Sequence, residues 1–135
     1  MQDHQHKQRV KEQLRKAGVT RYGMFKSESR HLPTIIHPNE NIHGAVYGQY
    51  GDSSAMLVAT DQRVIFLDTK PMVKLFDELN YDTVIGVEFD IHTIFATVIL
   101  QTAVGNYTIR YANIKCAEHF TDYIETKRID KITKA

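Results

Sequence analysis

Seven histidines are the first residues of this chain that could do chemistry. His4 and His6 stand two apart, and His37 and His43 flank a turn-rich stretch, so metal ligation is the chemistry to test. Neither pair sits in an HExxH helix or beside a cysteine pair, and no metal site is assigned. Glu88 and Asp90 form an i, i+2 acid pair, with Asp77, Glu78 and Asp82 near in sequence. Acid–base work needs one such carboxyl forced into an apolar pocket. Strand alternation instead puts this pair on the solvent face, where acids discourage strand-to-strand aggregation. Ser27, Ser29, Ser53 and Ser54 lack a nucleophile elbow, and Cys116 fits a helix as a small buried residue. Gly44, Gly48 and Gly51 are spaced too widely to cradle phosphate, and they read as glycines that let a strand coil or bulge. The expectation is a non-catalytic protein with no cofactor.

The elements that position these residues come from one domain. The chain has 135 residues, of which 42% are apolar and 24% charged, enough for one self-sufficient core. The lone Cys116 rules out a disulfide framework. With no basic-then-apolar leader at Met1 and no apolar run near 20 residues, the expected location is the cytoplasm. The net charge of +1 hides a polarity. Residues 1–31 carry eight bases against three acids, a net +5, while residues 32–112 carry four against nine, a net −5. A basic arm on an acidic body suits nucleic acid, anionic lipid, or an acidic wall on the same chain or on a neighbour. Nucleic acid is not expected, because the sheet region that would stack bases is the acidic one.

Residues 5–17 predict a helix with Val10, Leu14 and Ala17 on one face and Gly18 as its stop. The stripe is thin, so the helix must lean on something. A second helical signal covers 26–36, with Ser27 as N-cap and Pro33 breaking or restarting it, and HPNEN at 37–41 closes the lead-in. From Ile42 the period becomes two, through seven runs: GAVYGQY, SAMLVAT, RVIFLDT, VKLFDEL, IGVEFDI, IFATVIL and NYTIRY. Short turns between them, at Gly51–Ser53, Asp61-Gln62, Lys70-Pro71, Asn80–Asp82, His92-Thr93 and Gly105-Asn106, force antiparallel neighbours. Seven such strands must curl or split into two packed sheets. Ile85, Val87, Phe89 and Ile91 are expected on one face, as are Tyr107, Ile109 and Tyr111. Asp61 is expected to accept backbone N–H groups within its own turn. After Tyr111 the period returns to 3.6, with Asn113 as N-cap and Ile114, Ala117, Phe120 and Ile124 in one stripe.

HPNENIHGAVYGQY, LVATDQRVIFLD, ELNYDTVIGVEFD and NIKCAEHFTDYIE give residues 25–128 a resemblance to bacterial pleckstrin-homology-like (PH-like) domains. The Thr-Asp-x-Arg hairpin within 57–67 is its most specific piece, followed by the Tyr-Asp step at 81–85. The resemblance implies a mainly β protein: a seven-stranded antiparallel split barrel over 37–131 with a C-terminal capping helix, behind a helical extension at 1–36. Phosphoinositide-binding relatives cup the headgroup with bases around the first hairpin loop. Here residues 49–54, QYGDSS, carry none, so tight phosphoinositide binding is not expected.

The functional expectation is an interaction domain that binds an unidentified protein partner and assembles with itself. IFATVIL is apolar on both faces, Ile94, Ala96, Val98 and Leu100 on one and Phe95 and Ile99 on the other, so either choice leaves apolar residues outward. The candidate surface is Phe95 and Ile99 with the basic residues Lys7, Lys11, Arg15 and Arg21. The charge polarity favours a neighbour's basic arm on the acidic wall, a heterologous contact. The alternative is a peripheral membrane adaptor whose basic segment makes weak contact with anionic lipid.

Overall fold

A computed structural model describes residues 2–19, 32–68 and 76–134. Helix α1 (Gln2–Lys16) precedes strands β1 (Ile42–Tyr50), β2 (Ser53–Thr60), β3 (Val64–Asp68) and β4 (Phe76–Leu79). A 3-10 turn at Tyr81–Thr83 leads into β5 (Val84–His92), β6 (Phe95–Thr102) and β7 (Gly105–Ala112), and helix α2 (Ile114–Lys134) follows. Ser27 and the turn at Lys70-Pro71 lie outside the described residues, as does Arg21. Pro33 lies within a helical turn at residues 32–35.

All pairings are antiparallel, and the sheet order is β4-β3-β2-β1-β7-β6-β5. The seven strands therefore make one curled sheet with β4 and β5 at its edges, the curled one of the two arrangements that seven short antiparallel strands allow. The halves join at a single register pair, Gln49↔Arg110. Gly48 permits that junction: a Cβ there would lie 2.1 Å from the Arg110 carbonyl oxygen. Inside the curl, Val46, Leu57, Phe66, Val98, Leu100 and Ile109 pack with Phe120 and Ile124 of α2. Asn113 caps α2 by accepting the Cys116 N–H at 3.1 Å, as its sequence position suggested. At Gly44 a Cβ would stand 3.2 Å from the Phe120 Cα, so α2 lies close on β1.

A second core lies on the outside of the β1–β3 wall. Val10 and Leu14 of α1 join Leu32, Ile36, Ala45, Met56, Val58, Ile65 and Leu67 there. Helix α1 thus docks on its own barrel. The reason is local: β2 and β3 are buried on both faces, and the outer one needs a cover. Polar contacts fix the register. His6 Nε2 donates to the carbonyls of Pro33 and Ile36 (2.9 and 3.0 Å), and Arg9 Nη1 donates to that of Glu40 (2.7 Å). Gln13 accepts the Ile42 N–H at 2.8 Å. Gly18, at φ +100°, ends the arm against α2, where a Cβ would meet the Cys116 Sγ at 2.9 Å.

Three residues depart from their expected faces, two of them at bulges. A register shift between Val84 and Gly86 turns Val84 inward and leaves Ile85 exposed. Ile91 shares its face with Ala96 but lies where the hairpin outruns the core, and it is exposed. A second shift, between Ala96 and Val98 on β6, puts Tyr111 outward with φ +58°. The β5–β6 and β6–β7 turns fall at Thr93-Ile94 and Ala103-Val104, each displaced from its expected place.

Candidate functional site: the bare end of the β5–β7 wall

The most elaborate polar cluster among the described residues, around Glu40, Thr60 and Arg63, is structural. Glu40 is fully buried, and Oε2 accepts from Arg63 Nε at 2.8 Å and from Thr60 Oγ1 at 2.6 Å. Its Oε1 accepts from Arg63 Nη2 at 2.9 Å and from the His37 N–H at 3.0 Å. Burial alone would raise this carboxyl, but the bonds from Arg63, Thr60 and His37 override it and hold Glu40 down at about 2. Arg63 also donates to the Ile35 carbonyl at 2.8 Å and pairs with Glu78 of β4. Thr60 Oγ1 accepts the N–H groups of Gln62 and Arg63, so Thr60 and not Asp61 organises the turn. Asp61 reaches back to accept the Asn41 N–H at 3.0 Å. The Tyr81 hydroxyl donates to the Thr60 carbonyl at 2.5 Å, and burial pushes its ionisation up. The Thr-Asp-x-Arg hairpin is therefore a lock that joins the lead-in, β2–β3 and β4. The buried side-chain atoms of Glu40, Thr60 and Arg63 are bonded to one another and to the backbone.

The first hairpin loop is similarly self-contained. Gln49 donates to the Gly51 carbonyl, and the Ser53 hydroxyl donates to Asp68 at 2.8 Å. Among the described residues, no three His, Cys, Asp or Glu side chains gather as metal ligands.

The outward end of β5–β7 differs. Of eight exposed large apolar residues among those described, three lie at this end of the outward face or its turn: Ile94, Phe95 and Tyr111. Ile94 occupies the turn after Thr93, a residue with φ +58°. The β7 bulge sets two residues, Arg110 and Tyr111, against Thr97 of β6, and Tyr111 meets Phe95 edge-to-face with ring centroids 6.0 Å apart. Between them lies an open groove of about 380 Å³, lined by His92, Phe95, Ala96, Thr97, Arg110 and Tyr111. A tyrosine at positive φ costs about 1–2 kcal/mol, and here that strain turns an aromatic ring out to solvent.

Of the residues singled out by sequence, Phe95 is central to this end, 42% exposed. Ile99 shares its outward face but is half-buried between its cross-strand partners Glu88 and Thr108. Ile94, grouped by alternation with Ala96, is exposed at the turn, whereas Ala96, Val98 and Leu100 are buried. Lys7, Lys11 and Arg15 are exposed along α1, on the other wall, and Arg15 pairs with Glu12 at 2.5 Å. The structure does not bring them to Phe95. Sequence reasoning missed Tyr111, Arg110 and His92. The bulge that displays Tyr111 has no glycine or asparagine to announce it, so no signal was there to find. Glu40 was missed too, although an acid in a turn cluster upstream of a run beginning with Arg63 was a signal.

No curated protein matches the chain. Among solved structures, the hSac2 domain from human phosphoinositide phosphatase Sac2 is similar at 13% identity and TM-score 0.44, over 86% of this chain and 85% of that one. A DUF1696 family protein with a pleckstrin-homology domain from Shewanella loihica PV-4 is similar at 19% identity and TM-score 0.37, over 78% and 93%. Residues 36–126, from the lead-in turn through most of α2, match the family described as bacterial PH domain. That span contains the lock, the whole split sheet and the capping stripe, and the chain belongs to the bacterial PH domain family.

Proposed function

We propose that this bacterial PH domain is a non-catalytic protein–protein interaction module that assembles with itself through the outward end of β5–β7. One observation carries the reading: an exposed aromatic pair, Phe95 and Tyr111, is displayed by a strained bulge next to the turn that exposes Ile94. Clustered apolar exposure of this kind marks contact surfaces. Aromatic residues and arginine are also the types enriched at the centres of interfaces. Light scattering after size exclusion tests it. The intact chain should show a concentration-dependent oligomer that Phe95→Asp abolishes. A monomer at every concentration contradicts the proposal.

A second reading rests on a separate surface. Lys7 and Lys11 stand one turn apart on the exposed side of α1, which suits weak contact with anionic lipid. The apolar side of α1 is spent on its own barrel, so only electrostatics would hold it to a membrane. No helix among the described residues is long and apolar enough to cross one. Sedimentation with anionic vesicles at low salt, lost at high salt and on Lys7→Glu with Lys11→Glu, would support this contact.

A further inference from the structure

Charges flank the aromatic pair in an order that fixes how two copies would meet. Asp90 on β5 is the register partner of Thr97 on β6, and the β7 bulge sets Arg110 opposite that same Thr97. One row across the outward face therefore reads acid, hydroxyl, base. Asp90 and Arg110 are both exposed, and two strand spacings separate them by roughly 10 Å, too far for them to pair with each other. The neighbouring row holds His92 beside Phe95, and the next one along holds Glu88, Ile99 and Thr108.

We infer that the partner of this surface is a second copy of the chain, related by a two-fold axis running along β6. The inference rests on the self-association proposed above and adds its symmetry. An isologous contact must be self-complementary, so each group must meet what it needs on an identical surface. Rotation about an axis parallel to β6 brings the β7 side of one copy over the β5 side of the other. Arg110 then faces Asp90 of the second copy, and the reciprocal pair forms on the other side of the axis. Phe95, on the axial strand, meets its own counterpart, while Tyr111 covers His92 of the second copy and Glu88 faces a Thr108 hydroxyl. An axis in the same plane but perpendicular to β6 would set Asp90 against Asp90 and Arg110 against Arg110. Like charges so placed oppose association, and the pattern selects the first arrangement. The basic row of α1, on the other wall, takes no part.

The test is a charge exchange read as a dimer dissociation constant by sedimentation equilibrium. Asp90→Arg and Arg110→Asp should each weaken the dimer by about tenfold or more, and the two together should restore it to within roughly threefold. Neutral variants Asp90→Asn and Arg110→Gln should weaken it less, which separates lost attraction from disturbed folding. A dimer indifferent to either single reversal, or a double variant as weak as the singles, overturns the two-fold arrangement but leaves self-association standing. Weakening by Lys7→Glu with Lys11→Glu of the same size overturns it in favour of a heterologous contact through α1. An intact chain that stays monomeric overturns both proposals.

Discussion

The two halves of the curled sheet treat their outer faces in opposite ways. On the β1–β4 half, Leu57 and Phe66 point inward while Met56, Val58, Ile65 and Leu67 point outward, and both sets are buried. The outer set is continuous and apolar, and the chain covers it with its own helix α1. On the β5–β7 half, the outward residues Glu88, Asp90, Thr97, Thr108 and Arg110 need no cover, Ile99 lies half-buried among them, and Phe95 and Tyr111 stand exposed at one end. A wall apolar along its whole length recruits a helix from the same chain. A wall that is mostly polar is left uncovered by the described residues, and its apolar end is available to another molecule.

The largest effect should come from the lock that anchors the covered half. Arg63→Met strands the buried Glu40 carboxylate, and chemical denaturation should show a loss of about 3–5 kcal/mol. A loss under 1 kcal/mol would mean that water reaches Glu40. The same residue sets an acid limit. Because its folded carboxyl is held at about 2, below an unfolded value near 4.3, its contribution is complete at neutral pH. That contribution should fade as pH drops from about 5 towards 2, and Glu40→Gln should flatten this part of the stability profile.

Phe120 belongs to both halves, since α2 packs against β1, β5 and β6 from within the curl. Phe120→Ala should therefore cost about 3–5 kcal/mol in one cooperative transition. Two resolved transitions would show that the halves are separate units. Leu14→Ala, beneath the arm, should cost less, about 2–3 kcal/mol, and speed hydrogen exchange in β2 and β3. Equal acceleration in β6 would break the distinction between the walls. Phe95→Asp should change monomer stability by no more than about 0.5 kcal/mol while removing self-association. A large loss of stability would mark Phe95 as a core residue instead.

How much of this was legible in the sequence follows the same division. Strand number, the α2 cap at Asn113 and the stripe through Phe120 and Ile124 were readable, because period and capping are local signals. The arm's apolar row, Val10, Leu14 and Ala17, was readable too, but its docking place was not. The evidence for it lay elsewhere, in SAMLVAT and VIFLD, whose burial on both faces requires a cover. IFATVIL drew attention for the same pattern, yet Phe95 is exposed and Ile99 only half-buried. Which residues the bare wall displays was set by two bulges and a tight junction at Gly48, long-range features that alternation within one strand cannot report.

The claim that the bare wall, and not the covered one, meets another molecule is tested most directly by hydrogen exchange across a range of protein concentrations. Amides of the β5–β6 turn and of residues 110–112 should exchange more slowly as concentration rises, while those of α1 and β1–β3 stay constant. Protection that rises on α1 instead, or that is independent of concentration everywhere, would contradict the account.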